Sequence, residues 1–84
     1  MPQAADSGHA KGTAELLRTR FRLTTSEARV AILVADGLTY AEIAAALGIS
    51  SHTVHTHIKE IHLKLQVHTN PRAAALIRSL QTRD

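Results

Sequence analysis

Two threonine–glutamate pairs, each three residues apart, constrain this chain more than any other feature. Thr24 precedes Glu27, Thr39 precedes Glu42, and each pair stands at the head of an apolar run. In such a capping box the threonine oxygen accepts from the glutamate N–H, and the glutamate carboxylate accepts from the threonine N–H. Donors that a helix start leaves unpaired are thereby satisfied, so each pair predicts a helix N-terminus. Each of these helices also has a stop. Val30, Leu33 and Val34 recur at helical spacing before Gly37, and Ile43, Ala44 and Leu47 precede Gly48. Glycine readily takes the left-handed conformation that closes a helix. Ser50 then caps a third helix over roughly Ser51–Gln66. Asn70 and Pro71 read as N-cap and first helical residue of a fourth, with Ala73, Leu76, Ile77 and Leu80 on one face. No stretch alternates with period two for long enough to argue a strand. The chain is expected to be all-α.

Upstream of this pattern, Met1–Gly12 mixes Pro, Gly, Ser, Ala and single charges without periodicity and reads as a disordered tail or linker. Thr13–Phe21 adds a short extra helix, with Thr13 as its N-cap and Leu16, Leu17, Arg20 and Phe21 near one face. The domain proper is therefore expected over residues 13–84. A chain of 84 residues makes one small domain, near the lower limit for a core that holds a fold unaided. With no cysteine, neither a disulfide nor a thiolate zinc site can staple it. The longest apolar stretch, Val30–Ala35, is far short of a membrane span, and no secretory segment opens the chain. The expected location is the cytoplasm. Ten Lys and Arg against seven Asp and Glu give +3, to which six histidines add charge at lower pH. That balance is only a weak pointer to nucleic acid; where the charges sit carries more weight.

The third helix concentrates them. At 100° per residue, Val54, Ile58, Ile61 and Leu65 fall within about 60° of one another and form an apolar stripe. The opposite side presents His52, His55, Thr56, Lys59 and Leu63, polar mainly in the first half of the helix. A major-groove reader has this arrangement, because its N-terminal turns reach base edges while the stripe holds it to a scaffold. An ordinary solvated helix face has it too, and the wheel alone leaves the two readings level.

A resemblance tips the balance. Leu23-Thr24, Glu27, Val30, Gly37, Glu42-Ile43-Ala44, Leu47, Ile49-Ser50, Thr53-Val54, His57, Ile58, Ile61, Lys64-Leu65, Val67 and Ala73 together resemble the LuxR/GerE-type helix-turn-helix domain of bacterial transcriptional regulators. The likeness runs from Leu23 through the fourth helix, and as a set these motifs are specific. It implies a four-helix DNA-binding domain whose third helix enters the major groove of double-stranded DNA. His55, Thr56 and Lys59 occupy the family's base-facing positions, and Ser51, His52, Thr53 and Lys64 its phosphate-contacting ones. The fourth helix commonly supports pairing on inverted half-sites, which here would leave Ala74, Ala75, Arg78 and Gln81 as the dimer surface, with RNA polymerase a further partner. Three residues depart from the pattern. His55 stands where Lys or Arg is usual, Gln66 replaces the glycine after the Lys-Leu pair, and Asn70 replaces an arginine. The second departure predicts a strained or longer closure of the third helix. The third is consistent with Asn70 as a cap.

Other functions find less support. His52 and His55 lie three apart on one helical face, but zinc sites want three or four ligands and the remaining histidines diverge, so no metal or cofactor is expected. His57 reads as a packing residue, and His62 and His68 as solvent or phosphate contacts. Tyr40, in the first turn of the second helix, is either a phosphate donor or a half-buried ring with a free hydroxyl. The glutamates are dispersed, two are committed to caps, and Ser50 and Ser51 lack a base beside them, so no enzyme is expected. Two rivals remain. One is region four of an extracytoplasmic sigma factor, against which the Lys64-Leu65…Val67 ending and the capped fourth helix both speak. The other is a protein-interaction module that sequesters a related regulator, which His55 and the outward Leu63 keep open.

Overall fold

The computed structural model describes residues 12–81; apart from Gly12, the expected tail lies outside them. Among the described residues the secondary structure is helical throughout: residues 12–20 (α1), Thr25–Ala35 (α2), Tyr40–Leu47 (α3), Ser51–Leu65 (α4) and Asn70–Gln81 (α5). Both capping boxes form. Thr24 N–H donates to Glu27 Oε1 at 3.0 Å and receives the Glu27 N–H on its Oγ1 at 3.1 Å. Thr39 and Glu42 repeat the exchange at 2.8 and 3.2 Å.

The C-termini of α2, α3 and α4 close in one way. Gly37, Gly48 and Gln66 adopt left-handed conformations with φ of 89°, 68° and 58°. The next N–H in each case reaches the carbonyl five residues back: Leu38 to Leu33 at 3.1 Å, Ile49 to Ala44 at 3.0 Å, and Val67 to His62 at 3.0 Å. Leu38, Ile49 and Val67 are each partly buried against the core, as the apolar partner in a Schellman ending should be. Two of the three closures use glycine. The third forces a side chain into the same conformation, as the missing glycine predicts.

Two expected caps are corrected. Thr13 does not begin α1, because Gly12 is already helical and Thr13 is buried on the face of Leu17, one turn later. Arg20, expected near that face, is exposed. In α5 the capping side chain is Thr69, whose Oγ1 accepts from Arg72 N–H at 3.3 Å. Asn70 is the first helical residue, and its amide is used elsewhere.

One side chain from each helix, Leu17, Val30, Ile43, Val54 and Ile77, forms the fully buried centre. α2 packs chiefly on α4 and α5, and α3 packs on α4. The face of α5 differs from expectation. Ala73, Ile77 and Leu80 are buried as foreseen, but Ala74 is buried with them and Leu76 is only partly covered. Arg78 lays its guanidinium on the end of α2, with Nε and Nη2 donating to Ala35 O at 3.2 and 2.8 Å. Gln81 is half-buried, which leaves Ala75 as the fully open member of the four residues expected to form a dimer surface without an intramolecular bond.

Candidate nucleic-acid interface

The stripe on α4 is buried as its spacing predicts: Val54, Ile58, Ile61 and Leu65 all enter the core. Burial of this side turns the opposite one outward. Ser51, His52, His55, Thr56, Lys59 and Leu63 are exposed, and Thr53 is half-buried. The turn Gly48–Ser50 fixes where α4 begins. Ser50 Oγ accepts from Thr53 N–H at 3.0 Å and lies 2.9 Å from Thr53 Oγ1, so the Thr53 hydroxyl is engaged at the cap.

Each outward side chain has a distinct chemical state. Lys59 has no ion-pair partner among the described residues and is a free cation. Thr56 donates its hydroxyl hydrogen to His52 O at 3.2 Å, which leaves its oxygen lone pairs and its methyl group for an external partner. His55 meets the Tyr40 ring edge-on, with centroids 5.3 Å apart and planes at 84°. The first turn of α4 holds no acidic residue, whereas α2 and α3 each carry a capping glutamate there. No carboxylate in the first turn therefore offsets the partial positive charge at the start of α4, where the Ser50 cap takes up the Thr53 N–H.

Lys64, a phosphate-contacting position by resemblance, is paired within the domain. Its ammonium is 2.7 Å from Glu27 Oε1, on a carboxylate whose side chain is only 7% exposed. Burial raises the Glu27 carboxyl, but hydrogen bonds from Lys64 and from Thr24 N–H, with the charges of Lys64 and His57, outweigh it and hold the group below its ordinary value. Lys64 is thus an internal counter-ion to the first capping box. Sequence reading assigned Glu27 to its cap and missed this second use, because the partner lies 37 residues away.

The histidines separate by environment. His52, His55 and His68 are exposed, His57 lines a small cleft with Arg29, Val30, Leu47 and Ile49, and His62 is half-buried. His62 Nε2 lies 2.9 Å from Asn70 Oδ1, which corrects the expectation of a free solvent or phosphate contact. The other side of the same amide donates from Nδ2 to Tyr40 Oη at 3.1 Å, so the Tyr40 hydroxyl is engaged as an acceptor. Among the described residues no three His, Cys, Asp or Glu side chains converge as a metal site would require. Leu63 is 70% exposed and lines an open groove with Lys59, His68 and Val67. No helix among the described residues is long and apolar enough to cross a membrane.

No curated protein and no solved structure matches the chain. The family model of bacterial regulatory proteins, luxR family (GerE), matches residues 22–77, from Arg22, two residues before the first capping box, to the buried Ile77 of α5. That match covers well over half of the 84 residues, and the chain therefore belongs to the luxR family of bacterial regulatory proteins, whose helix-turn-helix domain binds DNA and regulates transcription.

Proposed function

We propose that this domain binds specific sequences of double-stranded DNA with α4 in the major groove, and that it acts by binding rather than by catalysis. The observation that carries the reading is the outward row His55, Thr56 and Lys59, set over a fully buried stripe on the same helix. Lys59 suits the acceptor edge of guanine, Thr56 offers an acceptor and a methyl group, and His55 donates or accepts through its ring nitrogens. Ser51, His52 and Thr53 surround the start of α4, where free N–H groups and the helix dipole favour a phosphate. Lys64 is left out of the phosphate set because Glu27 neutralises it.

In this reading two copies occupy inverted half-sites in the bacterial cytoplasm and influence RNA polymerase. With Ala74 buried and Arg78 bound to Ala35, the outer face of α5 is small-sided, so the free protein is expected to be a monomer or a weak dimer at micromolar concentration. Two modest contacts on one duplex reinforce each other, and pairing then appears on DNA. Sedimentation of the free chain and of its complex checks both statements.

Gel shifts on random-sequence duplex across a salt series test the central reading. The logarithm of the affinity should fall steeply and linearly with log salt as phosphate contacts are lost. No shift at low salt would overturn it, and would favour the rival in which Leu63 and its groove engage a related regulator.

A further inference from the structure

Asn70 joins three helices through one amide. It begins α5, donates from Nδ2 to the hydroxyl of Tyr40 at the start of α3, and places Oδ1 against Nε2 of His62 in the last turn of α4. An amide oxygen only accepts, so the bond requires His62 Nε2 to carry a hydrogen, and the amide is committed on both sides. Tyr40 in turn stands edge-on to His55, the base-facing residue that replaces a basic one. His55 itself is exposed and, among the described residues, has no hydrogen bond to fix its ring. An exposed imidazole on a helix can occupy several staggered rotamers, and each presents its nitrogens to a different place. A perpendicular contact with a tethered aromatic ring favours one of them.

We propose that Asn70 is a specificity-determining positioning residue: by tethering Tyr40 to α5 and to His62, it selects the rotamer in which His55 meets a base edge. The inference rests on the DNA-binding reading above and adds to it a residue that touches no base. It also accounts for two departures together. An arginine at position 70 would carry donors only and could not accept from His62 while donating to Tyr40, and the unusual His55 needs a neighbour to orient it in place of the reach and charge of a lysine.

The test is selection of bound sequences from a duplex library with a randomised centre, using the 84-residue chain and the variants His55→Ala, Asn70→Ala, Tyr40→Phe and Asn70→Ala/His55→Ala. Tyr40→Phe keeps the ring and removes the tether, so it decides the matter even where Asn70→Ala fails to fold, and circular dichroism checks folding for each protein. The expected result is a loss of discrimination by about three- to tenfold in Asn70→Ala and Tyr40→Phe, at the same base positions that His55→Ala relaxes. Affinity for random duplex should hold, and the double variant should be no less selective than His55→Ala alone. An unchanged motif in both tether variants overturns the proposal while leaving DNA recognition intact. Relaxation at every position together with weaker binding to random duplex also overturns it, because that pattern marks a general loss of structure or of a phosphate contact. A parent chain that binds DNA but selects no motif overturns the sequence-specific reading itself.

Discussion

The Lys64 ammonium lies 2.7 Å from Glu27 Oε1, the same oxygen that receives the Thr24 N–H, so one carboxylate closes a helix start and pins α4 to α2. Removing Lys64 from this part-buried pair leaves the buried Glu27 carboxylate without its counter-charge, which costs more than the pair contributes. Lys64→Met should therefore destabilise the fold by about 1–3 kcal/mol, and Thr24→Ala by about 1 kcal/mol through loss of the cap. Urea denaturation at neutral pH measures both.

The same carboxylate predicts an acid response. Its folded value is held below the ordinary one, so its contribution is fully present above the ordinary glutamate range. It is lost as pH falls from about 4.3 through the depressed folded value. The difference in stability between the parent chain and Glu27→Gln should shrink over that window. A difference that stayed constant from pH 7 to pH 3 would show that Glu27 titrates alike in both states.

Gln66 closes α4 at φ 58°, where Gly37 and Gly48 close α2 and α3 at 89° and 68°. The left-handed region costs a residue with a side chain about 1–2 kcal/mol, partly offset by the greater unfolded freedom of glycine. Gln66→Gly should stabilise the protein by about 0.5–1 kcal/mol and raise Tm by a few degrees. The Gln66 side chain is exposed and makes no hydrogen bond with the described residues that the substitution would remove. A lower Tm in thermal melts would contradict this account of the turn.

Arg78 binds the last carbonyl of α2 through two of its nitrogens. Carbonyls at a helix C-terminus are unpaired within the helix and carry partial negative charge, which a guanidinium satisfies on both counts. Arg78→Ala should lower stability by about 1–2 kcal/mol. Sedimentation of the free chain should be unaltered, whereas dissociation of a pre-existing dimer would restore Arg78 to the role that the sequence suggests.

Lys59 is the free cation on the outward face of α4. Lys59→Ala should cost about 1–3 kcal/mol on a selected site and much less on random duplex, as expected for a base contact. Equal losses on both would assign Lys59 to the phosphates. Titrations at a single salt concentration separate the two.

Everything legible in the residues alone is local. Thr24 with Glu27, Thr39 with Glu42 and Ser50 with Thr53 are each bonded across three residues, so the geometry of one helical turn contains the whole interaction. The stripe on α4 follows for the same reason, since Val54, Ile58, Ile61 and Leu65 share a face at any helix's periodicity, and the outward row follows as its complement. Position 70 shows where that reasoning ends. Asn before Pro is a good capping signal, but Thr69 also has a capping oxygen, and the choice between them turned on Tyr40 and His62 being within reach of the Asn70 amide. Tyr40 is 30 residues from Asn70, Glu27 is 37 from Lys64, and Ala35 is 43 from Arg78. Such pairs depend on how helices pack, which helical spacing does not encode. That Lys64 is an internal counter-ion, that Arg78 seals α2 and that the ring beside His55 is tethered emerge from the packing of the helices, because each needs two distant backbones brought within hydrogen-bonding distance.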